Sequence, residues 1–270
     1  LTGWIAFFAK IKNRLFLYSS SSDKDLSTTL TVKSLTDFKK WLYRFGVMHS
    51  DCVICQTDYQ KHLLKKTIEK EGTVIKNLYP FRKRKYNKVT ASKIIWIGRL
   101  IKEKKPELFL KLAQNMPEYQ FYMICATGGS GSAYFEYLDK IKETAHNIPN
   151  LEFMWNVPHH EIEKYYAKSL VLVNTSSSEG FPNTFLEAWG NEIPVVSLNF
   201  DPDGIISNNR LGFHSKTFKQ TIKNIRKLME NEKLRKEMGK NAYKYVKKEH
   251  NIQSIIQDYE VIIKYLLNGG

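Results

Sequence analysis

A doubly wound α/β fold on parallel sheets is what this sequence predicts, and two observations predict it. Strand-like and helix-like segments alternate in βαβα order along most of the chain, which calls for right-handed crossovers between parallel neighbours. The run Lys93-Ile-Ile-Trp-Ile97 is also continuously apolar, as strands covered by helices on both faces are.

The first series opens with a strand over Arg14–Ser19 and an amphipathic helix over Ser34–Phe45, capped by Ser34 or Thr36. A Cys52–Thr57 strand, a basic helix over Tyr59–Glu69 and a short strand over Thr73–Lys76 follow. After Asn77-Leu-Tyr-Pro80 comes Arg82-Lys-Arg-Lys85, then Tyr-Asn-Lys-Val-Thr-Ala-Ser. This is the most polar stretch of the first half and the best place for an interdomain linker. The second series starts at Lys93–Ile97. Helix Pro106–Asn115, strand Gln120–Cys125, helix Tyr134–Thr144, strand Leu151–Met154, helix His160–Lys168 and strand Leu170–Asn174 continue it. Helix Asn183–Gly190 and strand Pro194–Leu198 come next, and the tail is helical over Lys216–Met229, Glu232–Lys248 and Ile252–Leu267. Ligands of such sheets bind beyond the carboxyl ends of the strands.

Composition narrows the classes. With 42% hydrophobic and 13% aromatic residues, the chain can repay the entropy of ordering a core, which excludes intrinsic disorder. Its 270 residues suit one large domain or two smaller ones. Forty-two Lys and Arg against 27 Asp and Glu leave +15, a surplus that suits phosphate-rich ligands, nucleic acid or an anionic membrane surface. Three cysteines make no disulfide framework and point to a reducing compartment. Cys52 and Cys55 form a C-x-x-C on a predicted strand, where residues three apart face opposite ways, so they read as core cysteines. No stretch approaches the roughly 20 apolar residues of a membrane span. The opening Leu1–Ala9 is apolar but has neither a basic leader nor a cleavage site. Without an initiator Met, the chain is expected to begin within a longer one.

Two strand ends carry chemistry. The strand at Lys93 ends in Ile97-Gly98-Arg99-Leu100, with Lys104 five residues after Arg99. Gly98 is expected to allow a sharp turn. Arg99 and Lys104 could then pair with a diphosphate, the first through its planar fork and the second as a point charge. Alone, this pattern also fits a structural salt bridge. After Leu170–Asn174 comes Thr175-Ser-Ser-Ser178-Glu179-Gly180-Phe181-Pro182-Asn183-Thr184-Phe-Leu-Glu187. Small residues permit close backbone approach, Pro182 suits the first turn of a helix, and the helix N-terminus is an anion site. Glu179 precedes that helix and Glu187 lies inside it. One carboxylate could reach a ligand beyond its phosphates while the other binds a vicinal diol. The competing reading makes Glu179 a cap and Glu187 a solvated surface acid.

The stretch E-G-F-P-N-T-F-L-E, with G-R-L-x-x-x-K upstream, resembles the C-terminal nucleotide-sugar domain of retaining glycosyltransferases of family 4, which have the GT-B fold. Asp51-Cys-Val-Ile-Cys-Gln-Thr57 resembles the last strand of that family's N-terminal domain, and Val74-Ile-Lys-Asn77 its crossing into the linker. The resemblance implies residues 1–81 as the end of an incomplete acceptor-side domain, 82–92 as linker, 93–250 as a Rossmann-like nucleotide-sugar domain and 251–270 as a returning helix. It also implies roles. Arg99 and Lys104 hold the diphosphate and stabilise the leaving nucleotide, and Glu179 faces the donor sugar. Gly98 and the backbone N–H groups of Gly180, Phe181, Pro182, Asn183 and Thr184 serve the donor, and Glu187 binds the ribose. The base lies near Asn156 and Val157. A sugar would pass from a nucleoside diphosphate sugar to a hydroxyl of a glycan or lipid-linked acceptor with retention, in bacterial surface polysaccharide or glycolipid synthesis, without metal or other cofactor.

The sequence also departs from the family pattern. Ser22 stands where many relatives have a histidine, which leaves Asp23 as the acceptor-side acid. Asp201-Pro-Asp-Gly204 replaces a G-G-x-x-E loop and receives no role. The triplets Asp23-Lys-Asp25 and Asp201-Pro-Asp203 lack a further acidic partner for a metal. His159-His160-Glu161 fits no zinc spacing and reads as structural, with Glu161 and Glu163 complementing a helix dipole. Lys216 to Lys248 carries 12 Lys and Arg against three Glu. These basic faces, and the Arg82–Lys85 run, either stay solvated or meet an anionic membrane from the cytoplasmic side; for the helices a polyanionic acceptor is the other candidate. Two rivals stay open: a non-catalytic donor-binding fragment, and a basic nucleic-acid-binding domain. No nucleic-acid motif accompanies the charge, so nucleic acid is not the expected partner.

Overall fold

The computed structural model describes residues 1–27, 37–81 and 91–268. They form two compact units: a smaller one of Leu1–Leu78, Glu179–Phe181 and Glu249–Gly270, and a larger one of Tyr79–Ser178 and Pro182–Lys248.

The smaller unit begins with α1 (Thr2–Ile11), β1 (Leu17–Ser19), α2 (Asp37–Met48), β2 (Cys52–Cys55), α3 (Asp58–Ile68) and β3 (Thr73–Val74). Its three strands are parallel in the order β1-β2-β3. The pleat of β2 sends Val53 and Cys55 into a cluster with Leu26, Val47 and Leu64. Cys52 and Ile54 go to another cluster, with Ile75 and with Ile255 of the chain's final helix, Ile252–Leu267. The C-x-x-C is thus split between two faces, and all three cysteines are free and buried. Strand β1 is shorter than expected because the Phe16 N–H donates to the Asp51 carboxylate (2.6 Å) instead of a ladder. The two predicted caps of α2, Ser34 and Thr36, lie outside the described residues, as does the Arg82–Lys85 run. Helix α1 has no counterpart among the elements that the sequence predicts. It packs on α2 where a Cβ at Gly46 would stand 2.6 Å from the Gly3 nitrogen, so the approach requires glycine.

In the larger unit the order is β4 (Lys93–Arg99), α4 (Pro106–Gln114), β5 (Gln120–Ala126), α5 (Ser132–His146), β6 (Leu151–Trp155), α6 (His159–Ala167) and β7 (Ser169–Asn174). Then come α7 (Asn183–Gly190), β8 (Val195–Ser197), α8 (Ile205–Asn208), β9 (Gly212–His214), α9 (Phe218–Glu230) and α10 (Glu232–Glu249). Six parallel strands run in the order β6-β5-β4-β7-β8-β9. The continuous apolar runs explain the core: Ile94, Trp96, Phe121, Met123, Val171 and Val173 are buried beneath Phe109 and Leu112 of α4 and Ile225 and Leu228 of α9. Strand direction of growth reverses between β4 and β7, which makes their carboxyl ends the topological switch point. Neither α8 nor β9 was expected. Both are too short to carry a readable period, and α8 is held by the Asp201 carboxylate, which accepts the N–H groups of Ile206 (2.7 Å) and Ser207 (3.2 Å). No helix among the described residues is long and apolar enough to cross a membrane.

Candidate functional site

Arg99 is the exposed last residue of β4, at the switch point. Gly98 does not form the expected turn. It lies inside the ladder opposite Cys125, and a Cβ there would meet the Trp96 ring at 3.0 Å, so glycine here makes room for an indole. Lys104 ends a short 3-10 turn, Lys102–Lys104. That turn is laced to the loop after β7. Thr175 Oγ1 donates to the Lys104 carbonyl (2.7 Å) and accepts the Trp96 indole N–H (3.0 Å). The Ser177 N–H donates to the Glu103 carbonyl (2.8 Å). On the other side, Asn199 Nδ2 donates to the Ser176 carbonyl (3.1 Å). The run of small hydroxyl residues is therefore a splice between strand ends.

Helix α7 opens at the same edge. Pro182 stands at its cap position, φ −67° and ψ 119°, one residue before the place expected. Asn183 and Thr184 form its first turn and Glu187 its fifth position. The Glu187 side chain is only 22% exposed. Its Oε2 accepts the Tyr166 hydroxyl (2.9 Å) and its Oε1 accepts His159 Nε2–H (3.2 Å). The reading of Glu187 as a solvated acid is therefore wrong, because both oxygens are held. Burial pushes the Tyr166 phenol well above its ordinary pKa, and the neighbouring Glu187 charge adds to the shift, so the phenol remains a donor. Sequence reading missed Tyr166 and gave His159 a structural role. Only the fold brings them to Glu187.

Asn156 follows β6 with φ 50°. Its Oδ1 accepts the Thr127 N–H (2.9 Å), and its Nδ2 donates to Thr127 Oγ1 (3.0 Å). This side chain ties the ends of β5 and β6 together, with half-buried Val157 beside it.

The remaining predicted residues are placed by the smaller unit. Ser22 caps a 3-10 turn over Asp23–Leu26, and Asp25 completes a capping box by accepting the Ser22 N–H (2.9 Å). Asp23 accepts Gln60 Nε2–H (3.1 Å). Gly180 and Phe181 are buried, and Glu179 is half-buried. The expectation that Gly180 to Thr184 all offer N–H groups to a donor needs correction. Gln56 Oε1 takes the Phe181 N–H (2.9 Å), and Pro182 has none. Among the described residues no three His, Cys, Asp or Glu are grouped to hold a metal ion.

The sequence model of the family described as glycosyl transferases group 1 matches residues 80–245, more than half of the chain. The O-antigen biosynthesis glycosyltransferase WbnH of Escherichia coli is 30% identical over 214 residues, covering 69% of this chain and 59% of that protein. An uncharacterised glycosyltransferase of Methanocaldococcus jannaschii is 23% identical over 212 residues, covering 77% of this chain and 58% of that one. The chain thus spans just under three fifths of these relatives. Among solved structures, sucrose-phosphate synthase from Thermosynechococcus elongatus has a TM-score of 0.79 at 15% identity, over 99% of this chain and 72% of that one. Anabaena HepE in complex with UDP and glucose has a TM-score of 0.77 at 14% identity, over 96% and 74%. These likenesses are likenesses of fold, the GT-B fold of parallel α/β sheets. The matched segment contains the switch-point loops and the Glu187 helix, and the chain belongs to the group 1 glycosyl transferases.

Proposed function

We propose that the chain is part of a retaining glycosyltransferase of family 4, which moves a sugar from a nucleoside diphosphate sugar to a hydroxyl of a glycan or lipid-linked acceptor. The setting is bacterial surface polysaccharide or glycolipid synthesis on the cytoplasmic side of the membrane, with basic tail helices against anionic lipid. Residues 93–250 bind the donor. Arg99 and Lys104 neutralise the charge that builds on the diphosphate as the anomeric C–O bond breaks, Glu187 receives the ribose diol, and Glu179 faces the sugar. Asn183 and Thr184, at a helix N-terminus, add to the anion site. With cations and a helix dipole doing this work, no metal or other cofactor is needed. Ser22 and Asp23 lie on the acceptor side.

The observation that supports this reading most is Glu187: a carboxylate whose two oxygens are each oriented by one donor keeps lone pairs for two further hydroxyls. HepE binds UDP and glucose, so UDP is the natural probe. Calorimetric titration should show binding that survives EDTA and falls roughly tenfold or more in Arg99→Ala and Glu187→Ala, as loss of a charge-assisted hydrogen bond implies. Unchanged affinity in both variants would overturn the site, and binding abolished by EDTA would overturn the metal-free reading.

A further inference from the structure

A line of side chains in the smaller unit ends on the Glu179-Gly180-Phe181 tripeptide. Gln60, in the first turn of α3, is fully buried. Its Nε2 donates to Asp23 Oδ1 (3.1 Å) and its Oε1 accepts the Gln56 N–H (2.8 Å). Because a carboxylate oxygen only accepts, Asp23 settles which way the Gln60 amide points. The Gln56 backbone is thereby pinned at the end of β2, and Gln56 Oε1 accepts the Phe181 N–H (2.9 Å). The other polar group of Phe181 is held as well, since Asn77 Nδ2 donates to its carbonyl (3.3 Å). Asn77 is in turn fixed at its own carbonyl by His250 Nδ1–H (2.6 Å). The Phe181 ring rests against His250, with centroids 5.1 Å apart. Gly180 lies directly on the carboxamides: a Cβ there would stand 2.7 Å from Gln56 Oε1, 2.9 Å from Gln60 Nε2 and 2.6 Å from the Ser21 carbonyl.

We propose that Gln56 is a positioning residue for Glu179: through its hydrogen bond to the Phe181 N–H it fixes the Gly180–Phe181 peptide, and with it the approach of the Glu179 carboxylate to the donor sugar. The inference rests on the proposed function, in which Glu179 faces that sugar. It touches neither diphosphate nor ribose, whose candidate partners belong to the larger unit. Losing the Gln56 acceptor should therefore impair recognition of the sugar and spare recognition of the nucleotide.

The test uses the full chain labelled with 15N-phenylalanine, with Gln56→Met, which keeps the length and removes the acceptor, and Gln56→Glu, which keeps an acceptor. In the absence of ligand, exchange of the Phe181 amide should accelerate roughly five- to tenfold in Gln56→Met and return toward the original rate in Gln56→Glu, as loss and recovery of one hydrogen bond require. Titrations with UDP, UDP-glucose and UDP-N-acetylglucosamine should then show a UDP affinity in Gln56→Met within about twofold of the original. The preference between the two UDP-sugars and UDP should shrink by roughly fivefold. Unchanged exchange at Phe181 overturns the inference alone. So does an equal loss for UDP and both UDP-sugars, which is what general destabilisation would give. A chain that binds none of the three overturns the proposed function and the sugar-positioning role together, while the exchange data still decide whether Gln56 holds the peptide.

Discussion

A carboxylate taken largely out of water meets a desolvation cost, and at Glu187 the fold offsets it with two donors. Tyr166 reaches Oε2 from a fully buried position and His159 reaches Oε1 from the surface. Tyr166→Phe removes one of these bonds while preserving the ring. It should lower UDP affinity by roughly tenfold or more, the yield of a hydrogen bond to a charged group at about 1.5 to 3 kcal/mol. The decisive comparison is UDP against 2′-deoxy-UDP. If Glu187 binds the ribose diol, discrimination between them should narrow in the variant, and equal discrimination in both proteins would refute the assignment. Glu187 could be singled out from sequence because its motif is local. Tyr166 and His159 stand 21 and 28 residues away from it in the chain, at no spacing that a helix or strand converts into a contact.

Among elements, the loop after β7 does more than its composition suggests. Thr175 joins an indole on β4 to the carbonyl of Lys104. Thr175→Val keeps the shape and removes the hydrogen bond to each of them, at a cost of about 1 to 3 kcal/mol. The expected result is a lower Tm together with weaker UDP binding, as the Lys104 turn loses its tether. An unchanged affinity alongside the lower Tm would show that the tether serves folding alone. The elements that could be read in advance share a physical trait: β4, β5 and β7 are central strands buried on both faces, so hydrophobicity dictates them. What escaped lacked that signature. Helix α1 exposes Trp4, Phe7 and Phe8, which blurs an amphipathic pattern, and β9 has three residues at a sheet edge. Gly98 was misread because a strand glycine that accommodates a neighbouring ring looks, in sequence, like one that makes a turn.

For the molecule as a whole, acid stability should be tied to His250. It is fully buried, and burial lowers its pKa from 6.5 to about 4, opposed by the bond to the Asn77 carbonyl; Lys76 lowers it further and Glu249 raises it. An unfolded chain binds that proton first. The stability from keeping His250 neutral is thus present above about pH 6.5 and lost progressively as pH falls toward 4, amounting to something on the order of 3 kcal/mol. His250→Gln retains an amide donor for Asn77 and cannot titrate. Urea unfolding across that window should show a shallower decline in the variant, and parallel declines would locate the acid sensitivity elsewhere. Burial raises the Cys55 thiol to about 11 and the Cys125 thiol to about 12, so neither is a ready nucleophile in the folded chain. Cys52 and Cys55 belong to the smaller unit and Cys125 to the larger. A timed pulse of alkylating reagent during denaturation would therefore leave a mass tag that records which body came apart first, with no label engineered into the chain.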